Sequence, residues 1–426
     1  MNRMFRTRAV MVLVFMVSQL IPHNVSGQSL TEGNPESLGF SLERLKITDS
    51  VMNNLVEQDR IAGAVTLAAR HGKIAHVGTY GFMDKERGTK MRRDTIFRIA
   101  SMTKPMTSLA VLMLYEEGYF LLTDPVSKYI PEFKNMTVLS SGTGSGHEPK
   151  TVPAKREITI RHLLSHTAGL TYSGGGPLGK MYADAGIDEL RKPQYPVREL
   201  VMALAKLPLA YQPGESFRYS LSDDVLGYLI EVVTGMSFDR FLEERLFIPL
   251  GMKDTRFYLS EDQKTRLASL YQVKSGGEIE KTTGIESDYA PPNQQLHFAG
   301  GSGLYSTVDD YARFCQMLLN DGELDGVRIV SRKTVELLST NSVGDIEPNL
   351  GEGGDKWGFG VSVRTKRIAD NELLSTGSFM KSGAWSTYFW IDPKEDMFGV
   401  FMTQLRPLTP EIYFLFSTAV IQTIMD

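Results

Sequence analysis

A serine and a lysine three residues apart, at the head of an apolar segment, constrain this chain more than any other feature. The tetrad is Ser101-Met102-Thr103-Lys104. Ile96-Phe97-Arg98-Ile99-Ala100 leads into it as a strand-like entry, and Pro105 stands where the first turn of a helix tolerates proline. Residues 108–114 are apolar on almost every face, and Gly118 closes the run at a C′ position. The segment reads as a buried helix that begins at the tetrad. On such a helix residues i and i+3 share a face, so the Lys104 amine comes within reach of the Ser101 hydroxyl. A serine hydroxyl becomes a nucleophile only when a nearby base takes its proton. The free N–H groups of a helix start can also hold an oxyanion. The tetrad is therefore compatible with Ser–Lys acyl transfer.

Spacing alone does not carry that conclusion, because a chain of this length should hold roughly one or two S-x-x-K tetrads by chance. A second copy, Ser378-Phe379-Met380-Lys381, is indeed present. Its lysine opens another pattern, Lys381-Ser382-Gly383-Ala384, ahead of a predicted strand through Trp385-Ser386-Thr387-Tyr388-Phe389-Trp390. Glycine there permits a ligand to approach the strand edge. Trp385 and Tyr388 could shape an acyl pocket or simply pack. Tyr219 lies in Phe217-Arg218-Tyr219-Ser220-Leu221-Ser222, after the turn at Gln212-Pro213-Gly214 and before a predicted helix at 223–234. One of 17 tyrosines, it has packing as its ordinary role. Near two lysines its phenol could instead shuttle a proton.

Rival chemistries fare worse. No G-x-S-x-G elbow occurs in the chain. His162 and His166 have the i, i+4 spacing of a zinc helix, but Leu163 stands where that motif needs glutamate. His166, in a tight Ser-His-Thr-Ala-Gly turn, reads as a structural hydrogen-bonding residue. No metal or other cofactor is expected. No Lys/Arg cluster marks a nucleic-acid surface. Cys315 is the single cysteine, so no internal disulfide forms, and its neighbours Phe314, Met317 and Leu318 predict burial.

The first 27 residues carry Arg3, Arg6 and Arg8 and no acid, so the remainder is more acidic than the formal net charge of −4. An apolar run at 9–17 follows, then Pro22 and the small residues of Val25-Ser26-Gly27. This reads as a signal peptide cleaved after Gly27. The apolar run is short of the about 20 residues that span a bilayer. The expected product, residues 28–426, is periplasmic or secreted and keeps no stable membrane anchor.

Along the chain, a helix is expected at 44–58 and strands at 62–70 and 74–80, joined by the turn His71-Gly72-Lys73. Residues 107–295 read as mostly helical, with a long loop at 138–158 that includes Ser140-Ser141-Gly142-Thr143-Gly144-Ser145-Gly146. A short helix starts at Thr159, Ser173-Gly174-Gly175-Gly176-Pro177 reads as loop, and a helix is expected at 197–206. A helix at 309–319 follows, then strands at 357–363, 383–391 and 397–403, the last two able to form a hairpin, and a final helix at 410–424. Strands near both ends with helices between them describe an α+β domain with a helical insertion.

Three further stretches complete a pattern: Phe97-Arg98-Ile99-Ala100-Ser101-Met102-Thr103-Lys104, Leu163-Leu164-Ser165-His166-Thr167-Ala168-Gly169-Leu170 and Gly300-Gly301-Ser302-Gly303-Leu304-Tyr305-Ser306-Thr307. In order with Tyr219 and Lys381-Ser382-Gly383, they resemble the serine β-lactamase-related family of class C β-lactamases, D,D-peptidases and family VIII carboxylesterases. The resemblance spans nearly all of 40–425. It implies a β-lactamase/transpeptidase-like fold, an antiparallel sheet flanked by helices with an inserted all-helical lobe. The α/β part would take about 28–106 and 300–426, the lobe about 107–299, with the site between them. It implies Ser101 as nucleophile, Lys104 and Tyr219 as its activators and proton carriers, and Lys381 as electrostatic support. The N–H groups of Ser101 and Ala384 would form the oxyanion hole, and Ser382, Gly383, Leu221 and Trp385 would meet the substrate. One departure matters. The class C pattern is Tyr-x-Asn, whose amide contacts a β-lactam, and here that position is Leu221. Tyr-Ser-Leu, and Met181-Tyr182-Ala183-Asp184-Ala185-Gly186-Ile187, look more like the esterase branch. The expected activity is a carboxylesterase on small acyl esters through an acyl-enzyme. The alternatives are a β-lactamase or D-amino-acid peptidase/transpeptidase on amide substrates, and a non-catalytic penicillin-binding-like sensor.

Overall fold

The computed structural model describes residues 30–140, 150–282, 296–348, 350, 355–366 and 373–426. The expected signal peptide and the Ser/Gly stretch from 141 onward lie outside the described residues. After α1 (Leu42–Glu57), the chain forms β1 (Gly63–Arg70), β2 (Lys73–Asp84) and β3 (Thr89–Lys90). Then come α2 (Lys104–Glu116), α3 (Ile160–Leu164), α4 (Ser222–Thr234) and α5 (Val308–Leu319). The C-terminal third supplies β4 (Lys356–Trp357), β5 (Ser362–Val363), β6 (Phe379–Ser382), β7 (Tyr388–Asp392), β8 (Met397–Met402) and α6 (Pro410–Ile421).

These eight strands make one antiparallel sheet in the order β4-β5-β6-β7-β8-β1-β2-β3. The C-terminal strands thus close onto the N-terminal ones, as strands at both ends of the chain predict. The central strands are apolar throughout because both faces are covered. Successive side chains alternate between two cores. Met380, Tyr388, Trp390 and Phe401 face α1 and α6, whose Leu45, Met52, Leu55, Ile412 and Phe416 complete that layer. Phe379, Phe389, Ile391 and Val400 face α5 and join the larger core, which runs on into the helical lobe through Met102, Leu109, Leu226 and Leu229. Cys315 is buried in that core. Among the described residues no helix is long and apolar enough to cross a membrane.

Three expectations need correction. The strand expected at 357–363 is a hairpin: β4 pairs with β5 around Gly360, whose φ of +78° turns the chain back. The long loop at 138–158 begins and ends in a two-stranded ribbon, Thr137–Leu139 against Thr151–Pro153. The Gly/Pro stretch at 173–177 starts a helix, Gly176–Asp184, with Pro177 in its first turn.

Candidate active site

The two-residue strand Phe97–Arg98, paired with Tyr305–Ser306, delivers the chain to Ser101. Ala100 then takes φ +45°, a left-handed conformation that costs an L-residue roughly 1–2 kcal/mol. It opens a 3-10 turn, Ala100–Thr103, that runs directly into α2. Strain of this kind persists only where the surroundings fix it, and here they do. Ile99 N–H donates to Leu304 O at 3.1 Å, Leu304 N–H to Thr103 Oγ1 at 3.2 Å, and the Tyr311 hydroxyl to Met102 O at 2.9 Å.

Lys104 is fully buried. Its Nζ donates to Gly301 O at 2.6 Å and to the Tyr172 hydroxyl at 3.3 Å, and stands 3.5 Å from Ser101 Oγ. Ser101 is half-buried, so its oxygen remains reachable. A contact this long is the loose form that a nucleophile–base pair takes before substrate arrives. The Tyr219 ring lies beside both lysines, its centroid 4.5 Å from Lys104 Nζ and 5.0 Å from Lys381 Nζ. Trp357 packs edge-on against Tyr219 at 5.8 Å, and Lys381 Nζ lies 5.8 Å from its ring. The structure therefore brings Ser101, Lys104, Tyr219 and Lys381 together from the 3-10 turn, the start of α2, the segment before α4, and β6.

The Lys-Ser-Gly segment is displaced from its expected place. Lys381 and Ser382 do not open a strand but end β6, and Trp385 lies in the turn before β7. The reason is a tight hairpin: Gly383 N–H donates to Thr387 O at 2.8 Å, Ser386 N–H donates to Gly383 O at 2.9 Å, and Ser386 has φ +64°. Lys381 and Ser382 are buried, Trp385 is half-buried and Ala384 is exposed at the tip. At Gly383 a Cβ would meet Thr387 Oγ1 at 2.2 Å and Ile99 O at 2.4 Å. Glycine is what lets the end of β6 press against the turn that carries Ser101. The Ser101 N–H belongs to the first turn of its helix, where no intrahelical acceptor exists.

Two other positions fall away from the cleft. Leu221 is fully buried in the larger core, where it has no exposed surface for a substrate to touch. Tyr388 lies on the other face of the sheet, stacked on Tyr413 at 4.2 Å.

The structure adds groups that the sequence reading did not single out as site residues. Tyr172 accepts from Lys104 Nζ, and burial chiefly, with the charge of Asp224, pushes its phenol well up. Asp223 and Asp224, both buried, open α4, where the helix N-terminus favours negative charge. His166, read as structural, is buried against Tyr219 with ring centroids 4.8 Å apart. Its Nε2 stands 3.2 Å from Asp223 Oδ2 and its Nδ1 3.2 Å from Ser220 Oγ. Trp357, one of only three tryptophans, offered a compositional hint.

Comparison with known proteins agrees with this geometry. The Beta-lactamase family model matches residues 48–412. Protein Rv1367c of Mycobacterium tuberculosis is 36% identical over 358 residues, covering 82% of this chain and 86% of that protein. Esterase EstB of Burkholderia gladioli is 33% identical over 301 residues, covering 67% and 73%. Among solved structures, EstCE1, described as a hydrolase with promiscuous acyltransferase activity, superposes with a TM-score of 0.74 at 28% identity, covering 88% of this chain and 98% of that one. A match that begins within α1 and ends within α6 takes in the whole sheet and the lobe beside it: this chain belongs to the β-lactamase family and is a serine hydrolase.

Proposed function

We propose that this protein is a carboxylesterase that acts on small acyl esters through an acyl-enzyme on Ser101. The observation that carries the reading is the placement of Lys104 Nζ between Ser101 Oγ, at 3.5 Å, and the Tyr219 ring, at 4.5 Å. In the first step Ser101 Oγ bonds to the ester carbonyl carbon while its proton passes to the Lys104–Tyr219 pair. The negative charge that develops on the carbonyl oxygen falls to the N–H groups of Ser101 and Ala384, supported by the Lys381 ammonium. Collapse breaks the bond to the alkoxide, which takes the proton. Water then repeats the sequence against the acyl-enzyme and restores Ser101.

Two points favour an ester over a β-lactam. The position where class C enzymes place an asparagine amide is Leu221, buried in the core. Esterase EstB is a relative at 33% identity. Relatives at 27% identity named as D-alanyl-D-alanine carboxypeptidases keep the peptidase reading as the rival outcome of the test. The arginines and apolar run ahead of Gly27 support export to the periplasm or medium. Four chemistry-bearing side chains gathered at one helix start speak against a non-catalytic sensor.

The test is hydrolysis of p-nitrophenyl butyrate by the purified protein, with Ser101→Ala in parallel. Turnover that drops at least ~10³-fold in the variant is the expected result. Turnover unchanged in the variant would mean another nucleophile. An inactive native enzyme that cleaves D-alanyl-D-alanine peptides would install the rival.

A further inference from the structure

His166 does more than fill a turn. Its backbone takes φ +53°, and its carbonyl accepts the Arg218 N–H at 2.9 Å and the Tyr211 hydroxyl at 3.1 Å. Its Nδ1 meets Ser220 Oγ at 3.2 Å. The residue is thus bonded to the neighbours on both sides of Tyr219, while its ring lies against the Tyr219 ring at 4.8 Å and edge-on to Trp357 at 5.1 Å. One side chain and its carbonyl bracket the tyrosine in sequence and in space.

The proton inventory of the imidazole follows from its partners. A carboxylate only accepts, so the 3.2 Å charge contact with Asp223 favours a hydrogen on Nε2, which leaves Nδ1 to accept from the Ser220 hydroxyl, itself 2.8 Å from Ser222 Oγ. The charged groups around the ring are Asp223, Lys104 and Lys381, with Tyr219 and Tyr211 as the neighbouring phenols, and a second buried carboxylate, Asp224, shares the Gly301 side of Lys104. Burial chiefly, and then the two lysines, hold His166 below the ordinary histidine range, with Asp223 pulling the other way. Adding a proton to the imidazole would set a third cation against the ring that Lys104 and Lys381 already approach. It would also cancel the carboxylate.

We propose that the His166–Asp223 pair is a positioning device for Tyr219, holding the ring that Lys104 and Lys381 approach and adding a carboxylate to the cluster behind it. This rests on the reading of Ser101 as the nucleophile. Neither His166 nor Asp223 touches the ester. They fix the orientation of the phenol and bias how readily the lysine–tyrosine set gives up a proton.

The experiment follows the rate at which a fluorophosphonate labels Ser101 from pH 5 to 10, together with kcat and KM for p-nitrophenyl butyrate. It compares the full chain with Asp223→Asn and His166→Gln. Loss of the anion removes stabilisation of the lysine cations, so the pH of half-maximal labelling should fall by at least ~0.5 unit in Asp223→Asn. kcat should drop about 10-fold or more with KM nearly constant, as expected when a catalytic group loses its support but substrate binding survives. His166→Gln retains an amide that can reach Asp223 and should fall between the two. A merely structural pair would lower the labelled fraction equally at every pH and leave the half-maximal pH in place. That result, or unchanged kcat in folded variants, overturns the proposal. If Asp223→Asn does not fold, the labelling profile of His166→Gln decides. A native protein that no fluorophosphonate labels would instead overturn the Ser101 reading, a distinct failure.

Discussion

Two stretches of this molecule have the same spacing and opposite geometry. At Ser101-Met102-Thr103-Lys104 a 3-10 turn runs into α2, and the hydroxyl and the amine meet on one side, 3.5 Å apart. At Ser378-Phe379-Met380-Lys381 the last three residues lie on β6, where side chains alternate. Phe379 belongs to the core beside α5 and Met380 to the core beneath α1 and α6, so Lys381 emerges on the lobe side, where it reaches Tyr219. Ser378, three residues back, has the opposite parity and is buried away from its lysine. A motif written as spacing has no chemistry of its own. The backbone decides whether its two ends meet, and here one fold uses a lysine from each copy and the serine from only one.

The sharpest way to break that comparison is to remove each half in turn. Lys104→Ala should lower turnover by ~10²–10⁴-fold, the range that loss of a general base costs, and Tyr219→Phe by at least ~10². Ser378→Ala should leave turnover within about 2-fold. Among the described residues the buried Ser378 hydroxyl has no hydrogen-bond partner, so its loss should also leave thermal stability unchanged or slightly improved. Steady-state kinetics on the three variants check this. A Ser378 variant as damaged as Lys104→Ala would end the distinction between the two tetrads.

Gly383 is where the two stretches touch. Gly383→Ala places a methyl 2.4 Å from Ile99 O and 2.2 Å from Thr387 Oγ1, so either β6 or the Ser101 turn must retreat. A 1 Å misplacement can cost a large factor in rate, and kcat/KM should fall about 10- to 100-fold while Ser101 remains labelled more slowly. Leu221→Asn tests a position that the motif puts at the substrate and the structure puts in the core. It should cost about 2–4 kcal/mol of stability by burying an amide in an apolar site. The ratio of esterase to β-lactamase turnover should stay fixed. A shift in that ratio with stability intact would return Leu221 to the cleft.

These contrasts also show what a reader of the sequence could see. The central strands are legible because burial on both faces makes them continuous apolar runs, and α2 because it is apolar all round. Ser101, Lys104, Tyr219 and Lys381 are legible through their surroundings in sequence. The turn at 383–387 is not, since Trp385-Ser386-Thr387 has strand-like composition while Ser386 adopts φ +64°. The β4–β5 hairpin hides for the same reason: Gly358-Phe359-Gly360-Val361 reads as strand until Gly360 turns it. Tyr172 and Asp223 carry no sequence signal as site residues, and Trp357 only that of a rare residue type, because their roles come from contacts between distant parts of the chain. Trp357 lies 138 residues beyond the Tyr219 that it packs against.

The smallest effect concerns another pair defined by spacing. His162 and His166, four apart, suggest one helix face, yet α3 ends at Leu164 and His166 lies beyond it with φ +53°. The two rings therefore do separate work. His162 completes a capping box: Thr159 Oγ1 accepts the His162 N–H at 3.2 Å, and His162 Nδ1 accepts the Thr159 N–H at 3.1 Å. Only a neutral imidazole can accept there. Burial first, then Arg156 and Arg161, push His162 down to about 4. A histidine lowered on folding takes up its proton in the unfolded chain first. Its contribution is complete above the ordinary value of 6.5 and is lost as pH falls from there through about 4. Glutamine at this third helical position can make the same bond without titrating. In thermal melts, His162→Gln should match the native protein at pH 7.5 and become progressively the more stable of the two as pH drops toward 4.5. Parallel curves across that window would show that the cap does not depend on the charge of the ring.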